Sequence, residues 1–169
     1  MKKIYYTFLV AISVVILSMC SKTSSVEEEK FEEAFLENEK VIINPSAMET
    51  EVLALINEHR ASIGASTLQT SSASYEYAED HNNYMIAQKT LSHDNFQSRA
   101  SKIALEIGAV DVGENVARYY TTAELVLDGW LESTSHKEAI EGEYTHTTLS
   151  ITLDKDGRPY FTQIFMQVE

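Results

Sequence analysis

The sequence predicts an α+β domain. Three observations carry this. Apolar residues recur at helical spacing through the middle of the chain. Stretches rich in Thr, Ile, Tyr and Phe come last, around an Asp-Lys-Asp-Gly turn. The helical signals also precede most strand signals instead of alternating with them, which argues for helices packed on a small antiparallel sheet.

The chain opens with an address. Lys2 and Lys3 precede an uncharged run from Ile4 to Met19, broken only by Thr7, Ser13 and Ser18. That run is shorter than the roughly 20 residues a helix needs to span a bilayer, so residues 1–19 read as a secretory signal peptide. The single Cys stands next, in Leu17-Ser18-Met19-Cys20, and the segment resembles a bacterial lipobox. That resemblance implies acylation of Cys20 with palmitate-type chains and a membrane contact made by lipid. The alternative is an uncleaved N-terminal anchor helix. Either way the rest of the chain is expected in the cell envelope, outside the cytoplasm and facing the periplasm or the surface. Residues 20–45 form the lipidated Cys and an acidic tether: Glu27, Glu28, Glu29, Glu32, Glu33, Glu37 and Glu39 repel one another and leave little to bury.

A single domain is expected over residues 46–169. Ser46 and Glu49 have capping-box spacing before Met48, Val52, Leu55, Ile56, His59 and Ile63, with Gly64 as the stop. A second helix is expected from Ser71 to Gln88, with Ala78, His81 and Met85 on one face. A third starts at Ser98, carries Ile103, Ala104 and Ile107, and stops at Gly108. Thr121 with Glu124 opens a fourth through Val126, Leu127 and Trp130, and Ser135 with Glu138 a short fifth. Glu114 to Tyr120 reads as a strand, and Thr145 to Leu153 and Pro159 to Val168 as a closing hairpin.

Composition excludes several classes. Acidic residues outnumber basic ones 26 to 13, for a net charge of −13, so no nucleic-acid partner is expected. One Cys excludes an internal disulfide framework and a Cys-rich zinc site. No repeat signals a solenoid, and a monomer is expected.

Several segments resemble, in order, the bacterial branch of the CAP superfamily (cysteine-rich secretory protein, antigen 5 and pathogenesis-related 1). They are Leu55-Ile56-Asn57-Glu58-His59-Arg60 with Gly64 and Leu68, then Ser92-His93. Gly113-Glu114-Asn115-Val116-Ala117 follows, then Trp130-Leu131-Glu132-Ser133 with His136, and Tyr160-Phe161-Thr162-Gln163-Ile164-Phe165. The resemblance covers about Met48 to the C-terminus. It implies a three-layer α-β-α sandwich with a small antiparallel sheet, and a cleft holding two His and two acids. By motif these are His93, His136 and Glu114, with Ser133 where eukaryotic members carry the second acid. The eukaryotic His-Tyr-Thr-Gln motif is replaced by His136-Lys137-Glu138-Ala139, and the family's disulfides are absent.

If the fold joins them, His93, His136 and Glu114 have the donor types of a weak, open Zn²⁺ site. The competing role is a hydrogen-bonded polar cluster with Glu114 as acceptor. Gly113 would admit close backbone approach, and Asn115 would pin a loop. Ser133 with His136 is not expected to act as a nucleophile pair, because a helix break falls between them. His59 reads as a packed or surface residue, His81 on the apolar face of the second helix as core, His146 as outside the cleft, and Trp130 as a core anchor. The leading function is a lipid-anchored envelope module binding a small-molecule, lipid or envelope-polymer ligand through this cleft. The alternatives are a metal-dependent hydrolase of an envelope polymer, with Glu114 as base, and a sterol or fatty-acid carrier.

Overall fold

The computed structural model describes residues 42–169. The signal segment 1–19, Cys20 and the tether through residue 41 lie outside the described residues.

Helix α1 (Pro45–Ser62) starts at Asn44, whose side chain accepts from the Ala47 N–H. Pro45 sits in the first turn, where a missing N–H removes no helical bond. The expected Ser46–Glu49 capping box does not form. Ser46 already lies inside the helix, and Glu49 is drawn to the sheet. Its Oε1 accepts from the Ile151 N–H at 2.8 Å and from the Tyr75 hydroxyl at 3.0 Å.

Strand β1 (Gln69–Thr70) is too short to leave a pattern in the sequence. It pairs in parallel with residues 146–147, and the Ser71 N–H continues that ladder to the Thr147 carbonyl. Residues from Ser71 are thus taken by the sheet edge, and helix α2 (Tyr75–Gln88) begins later than expected. Helix α3 (Phe96–Ile107) starts two residues before Ser98 and ends at Gly108, which takes the left-handed conformation at φ 71°. Strand β2 (Ala109–Arg118) begins well before the expected Glu114.

Helix α4 (Ala123–Glu132) is capped by the Thr122 side chain, which accepts from the Leu125 N–H, and not by Thr121. Helix α5 (Thr134–Glu141) follows at once. Ser133, at φ −94° and ψ 120°, is the break between them, so the Ser135–Glu138 box is also displaced. Strands β3 (His146–Leu153) and β4 (Pro159–Val168) agree with the expected hairpin to within one residue. Gly157, at φ 78°, closes their turn by donating to the Asp154 carbonyl.

The sheet order is β1-β3-β4-β2. Pairs β3–β4 and β4–β2 are antiparallel; parallel β1 is the departure from an all-antiparallel sheet. Side chains alternate between the two faces of each strand, and both faces are covered. Leu149, Ile151, Phe161, Phe165 and Ala117 pack with Val52 and Ile56 of α1, Val126 and Trp130 of α4 and Ile140 of α5. On the opposite face Ile164 and Met166 pack with Ala78 of α2 and Ile103 of α3, and Val116 and Tyr160 pack with Met85. This is the expected three-layer α-β-α sandwich, with β2 at one sheet edge.

Candidate functional site around the edge strand

The site is built on β2. Glu114 and Asn115 are consecutive, so they project to opposite faces of this strand. Glu114 meets the α2–α3 layer and Asn115 the layer that contains α5. Helices on the two faces therefore bring residues together around one edge.

Glu114 is the hub. Its side chain is 1% exposed, and a carboxylate so placed needs charged or hydrogen-bonded partners. Arg99 of α3 supplies two contacts to Oε2, from Nε at 2.8 Å and from Nη2 at 2.5 Å. Oε1 accepts from His93 Nδ1 at 2.9 Å. A carboxylate only accepts, so Nδ1 carries the proton, and in the neutral ring Nε2 is left as an acceptor. The His93 side chain is 50% exposed.

The loop carrying His93 is tied down from below. His81 Nε2 donates to the Ser92 carbonyl at 2.8 Å, and Arg99 Nη1 donates to the Asp94 carbonyl. The Tyr84 hydroxyl donates to the Asp94 carboxylate at 2.8 Å and its ring stacks on His81. His81 Nε2 also lies 3.8 Å from Glu114 Oε1. Burial lowers the His81 pKa, opposed by the Glu114 charge and helped by Arg99.

His136 arrives from the other face, one turn into α5. Its carbonyl accepts from Asn115 Nδ2 at 3.0 Å, so Asn115 pins the first turn of α5 and not a loop as expected. The His136 and His93 rings are 6.5 Å apart between centroids, tilted by 42°. Burial, then the neighbouring His93, lowers the His136 pKa. The shifts at His81 and His136 favour neutral imidazole at pH 7.

Of the residues singled out from sequence, His93, Glu114 and His136 meet. Ser133 lies at the helix break, and its hydroxyl pairs with Ser135 at 3.4 Å. Trp130 is buried and donates to the Val116 carbonyl. Gly113 is where the Tyr144 hydroxyl approaches; an added Cβ would sit 2.6 Å from it. His59 pairs with Glu141, and His146 with Thr145. Arg99 and His81 were missed as site residues. The signal for Arg99 was a lone cation four residues before Ile103, on a stripe that is otherwise apolar.

The donor set does not suit a three-ligand cation site. Both oxygens of Glu114 are engaged, and a divalent ion would have to displace Arg99 or His93. Among the described residues no three His, Cys, Asp or Glu side chains are placed to share an ion. The same engagement argues against Glu114 as a general base, since a base must be free to take a proton. What the arrangement offers is two imidazoles on a rigid frame, able to donate and accept hydrogen bonds.

Residues 53–165 match the cysteine-rich secretory protein family, CAP. An uncharacterised membrane protein of Bacillus subtilis, YlbC, is 30% identical over 150 residues. The match takes in 86% of this chain and 39% of that protein, so the chain spans well under half of its relative. Solved structures are also similar. An outer surface protein of Borrelia burgdorferi superposes with a TM-score of 0.67 at 19% identity, over 75% of this chain and 97% of that one. An extracellular SCP-domain protein of Bacillus anthracis gives 0.62 at 22% identity, over 73% of this chain and 41% of that one.

Proposed function

The chain belongs to the CAP family, and on that premise we propose that it is a lipid-anchored binding module of the bacterial cell envelope. Its cleft of His93, His136 and buried Glu114 holds a polar, uncharged group of an envelope polymer. The observation that carries this is the Glu114 carboxylate clamped by Arg99: it fixes the His93 ring while leaving Nε2 outward. A site so pre-organised binds without ordering its own side chains. Hydrolysis draws no support from the geometry, because Glu114 is occupied and Ser133 bonds to Ser135. The anchor rests on the basic start, the short apolar run and Cys20.

Co-sedimentation of the purified protein with peptidoglycan sacculi tests the cleft. The wild type is expected to pellet with them, and the double variant His93→Ala, His136→Ala to bind about tenfold more weakly or worse. Equal binding by the two would reject the reading. Intact-mass measurement of membrane-extracted protein tests the anchor: an acyl adduct on Cys20, lost in Cys20→Ala, is expected.

A further inference from the structure

A second concave site lies beyond β3, at the other end of the sheet order from the β2 cleft. It is a cavity of about 410 Å³ between α1, the segment joining β1 to α2, and β3. That volume falls in the range of small-molecule sites, roughly 300–1,000 Å³. Its lining is mixed. Thr50, Thr70, Ser71 and Ser72 bring hydroxyls, and Leu53 and Leu149 an apolar patch. Glu49 and Tyr75 also line it.

The cavity exists because β1 stops after two residues. Among the described residues, the edge of β3 beyond Thr147 has no strand partner on that side. Glu49 reaches across from α1 to take the Ile151 N–H, and Tyr75 donates to the same Oε1. Both bonds converge on one oxygen, so a ligand can bond the other without displacing either. The wall is stiff: the Asn57 side-chain amide donates to the Leu68 carbonyl and accepts from the Leu68 N–H.

We infer that this cavity is a ligand site, separate from the β2 cleft, for a small polyhydroxylated molecule bearing an ammonium group, such as an amino sugar. A half-buried carboxylate recognises an ammonium by a charge-assisted hydrogen bond. The ring of hydroxyls answers sugar hydroxyls, and Leu53 and Leu149 cover the C–H face of a pyranose. Burial raises the Glu49 pKa, against the lowering by the Ile151 N–H and Tyr75 bonds and with a smaller push from the nearby Glu79, and a bound cation would relieve that unfavourable charge. The inference does not depend on what the β2 cleft binds.

The test is titration of the ¹⁵N-labelled protein with glucosamine at pH 7, with glucose as the uncharged control. Glucosamine is expected to shift the amides of Thr50, Thr70 and Ser72, and glucose to bind about tenfold more weakly. Glu49→Gln keeps an oxygen for the Ile151 N–H and Tyr75, so it should fold, and is expected to reduce glucosamine affinity about tenfold. Ala54→Tyr, at an exposed α1 position lining the cavity, is expected to abolish the shifts with Glu49 intact. The double variant His93→Ala, His136→Ala should bind glucosamine like wild type. Absence of shifts, equal binding of glucose and glucosamine, or unchanged affinity in Glu49→Gln would overturn the inference.

Discussion

Two arginines leave the surface of this acidic chain, and they are satisfied in opposite ways. Arg60 of α1 is 1% exposed and donates only to main-chain carbonyls: Ser66, Ile140, Gly142 and Tyr144, at 2.6–3.2 Å. It clips α1 to the end of α5 and the approach to β3. Arg99 of α3 spends its fork chiefly on one carboxylate, Glu114, which in turn orients a half-exposed imidazole. Carbonyls cannot change charge, so the Arg60 knot has one state. The Arg99 knot pairs a cation with a buried carboxylate and ends at an accessible ring. One arginine builds the fold; the other builds the site.

The difference can be broken by substitution. Arg99→Met leaves Glu114 buried without its cation, and is expected to cost about 3–5 kcal/mol of unfolding stability in urea titration. Adding Glu114→Gln should recover most of that loss, because the stranded charge is then gone. Arg60→Met is expected to be comparably severe, about 3 kcal/mol, since several buried carbonyls lose a donor. No single second change should rescue it. Rescue of Arg60→Met by a partner substitution, or its failure at Arg99, would erase the distinction.

The pH dependence is the next effect in size. His81 and His136 are both held below the usual histidine pKa, chiefly by burial. The unfolded chain therefore takes up protons first as pH falls below about 6.5. The stability contributed by keeping these rings neutral is present above that pH and is lost as pH falls toward their folded values. Urea midpoints measured from pH 7.5 to 5 should decline, and the decline should be shallower in His81→Asn. A flat profile would mean that neither ring is held neutral.

Effects at the rim should be smallest. Ser133→Ala is expected to change stability by less than about 0.5 kcal/mol, because its hydroxyl meets only that of Ser135. A chain beginning near Asn44 should melt within about 2 °C of the longer chain, since the helix cap is Asn44 itself. A larger drop would give the acidic segment a structural part.

The fold was legible in periodicity. The apolar stripes of α1 and α2 and the Thr-, Ile- and Phe-rich hairpin come from local patterns that tertiary contacts reinforce. The ends of elements were less so. Three capping-box spacings pointed one or more residues away from the true starts, because Asn44, Thr122 and the Ser133 break take those positions. Glu49 shows why: its partner, Ile151 of β3, is remote in sequence, and a sheet-edge N–H outcompeted a local cap. At the site, motif spacing found His93, Glu114 and His136, yet not their roles. The role of Glu114 is set by Arg99, on a helix whose pairing with β2 no local pattern reveals. His81 read as core and is core, but it also holds the loop that aims His93.

Arg99 locks Glu114, and Glu114 fixes His93 with Nε2 bare, which leaves no free carboxylate to complete a metal site with the two rings. Long-range ¹H–¹⁵N NMR of the histidine rings tests this most directly, at pH 7.5 with and without Zn²⁺. The expected result is a His93 ring protonated on Nδ1 with Nε2 bare, unchanged by a few equivalents of Zn²⁺, and a mixture of tautomers in Arg99→Met. A wild-type ring protonated on Nε2, or His93 and His136 signals that shift together on adding Zn²⁺, would contradict it.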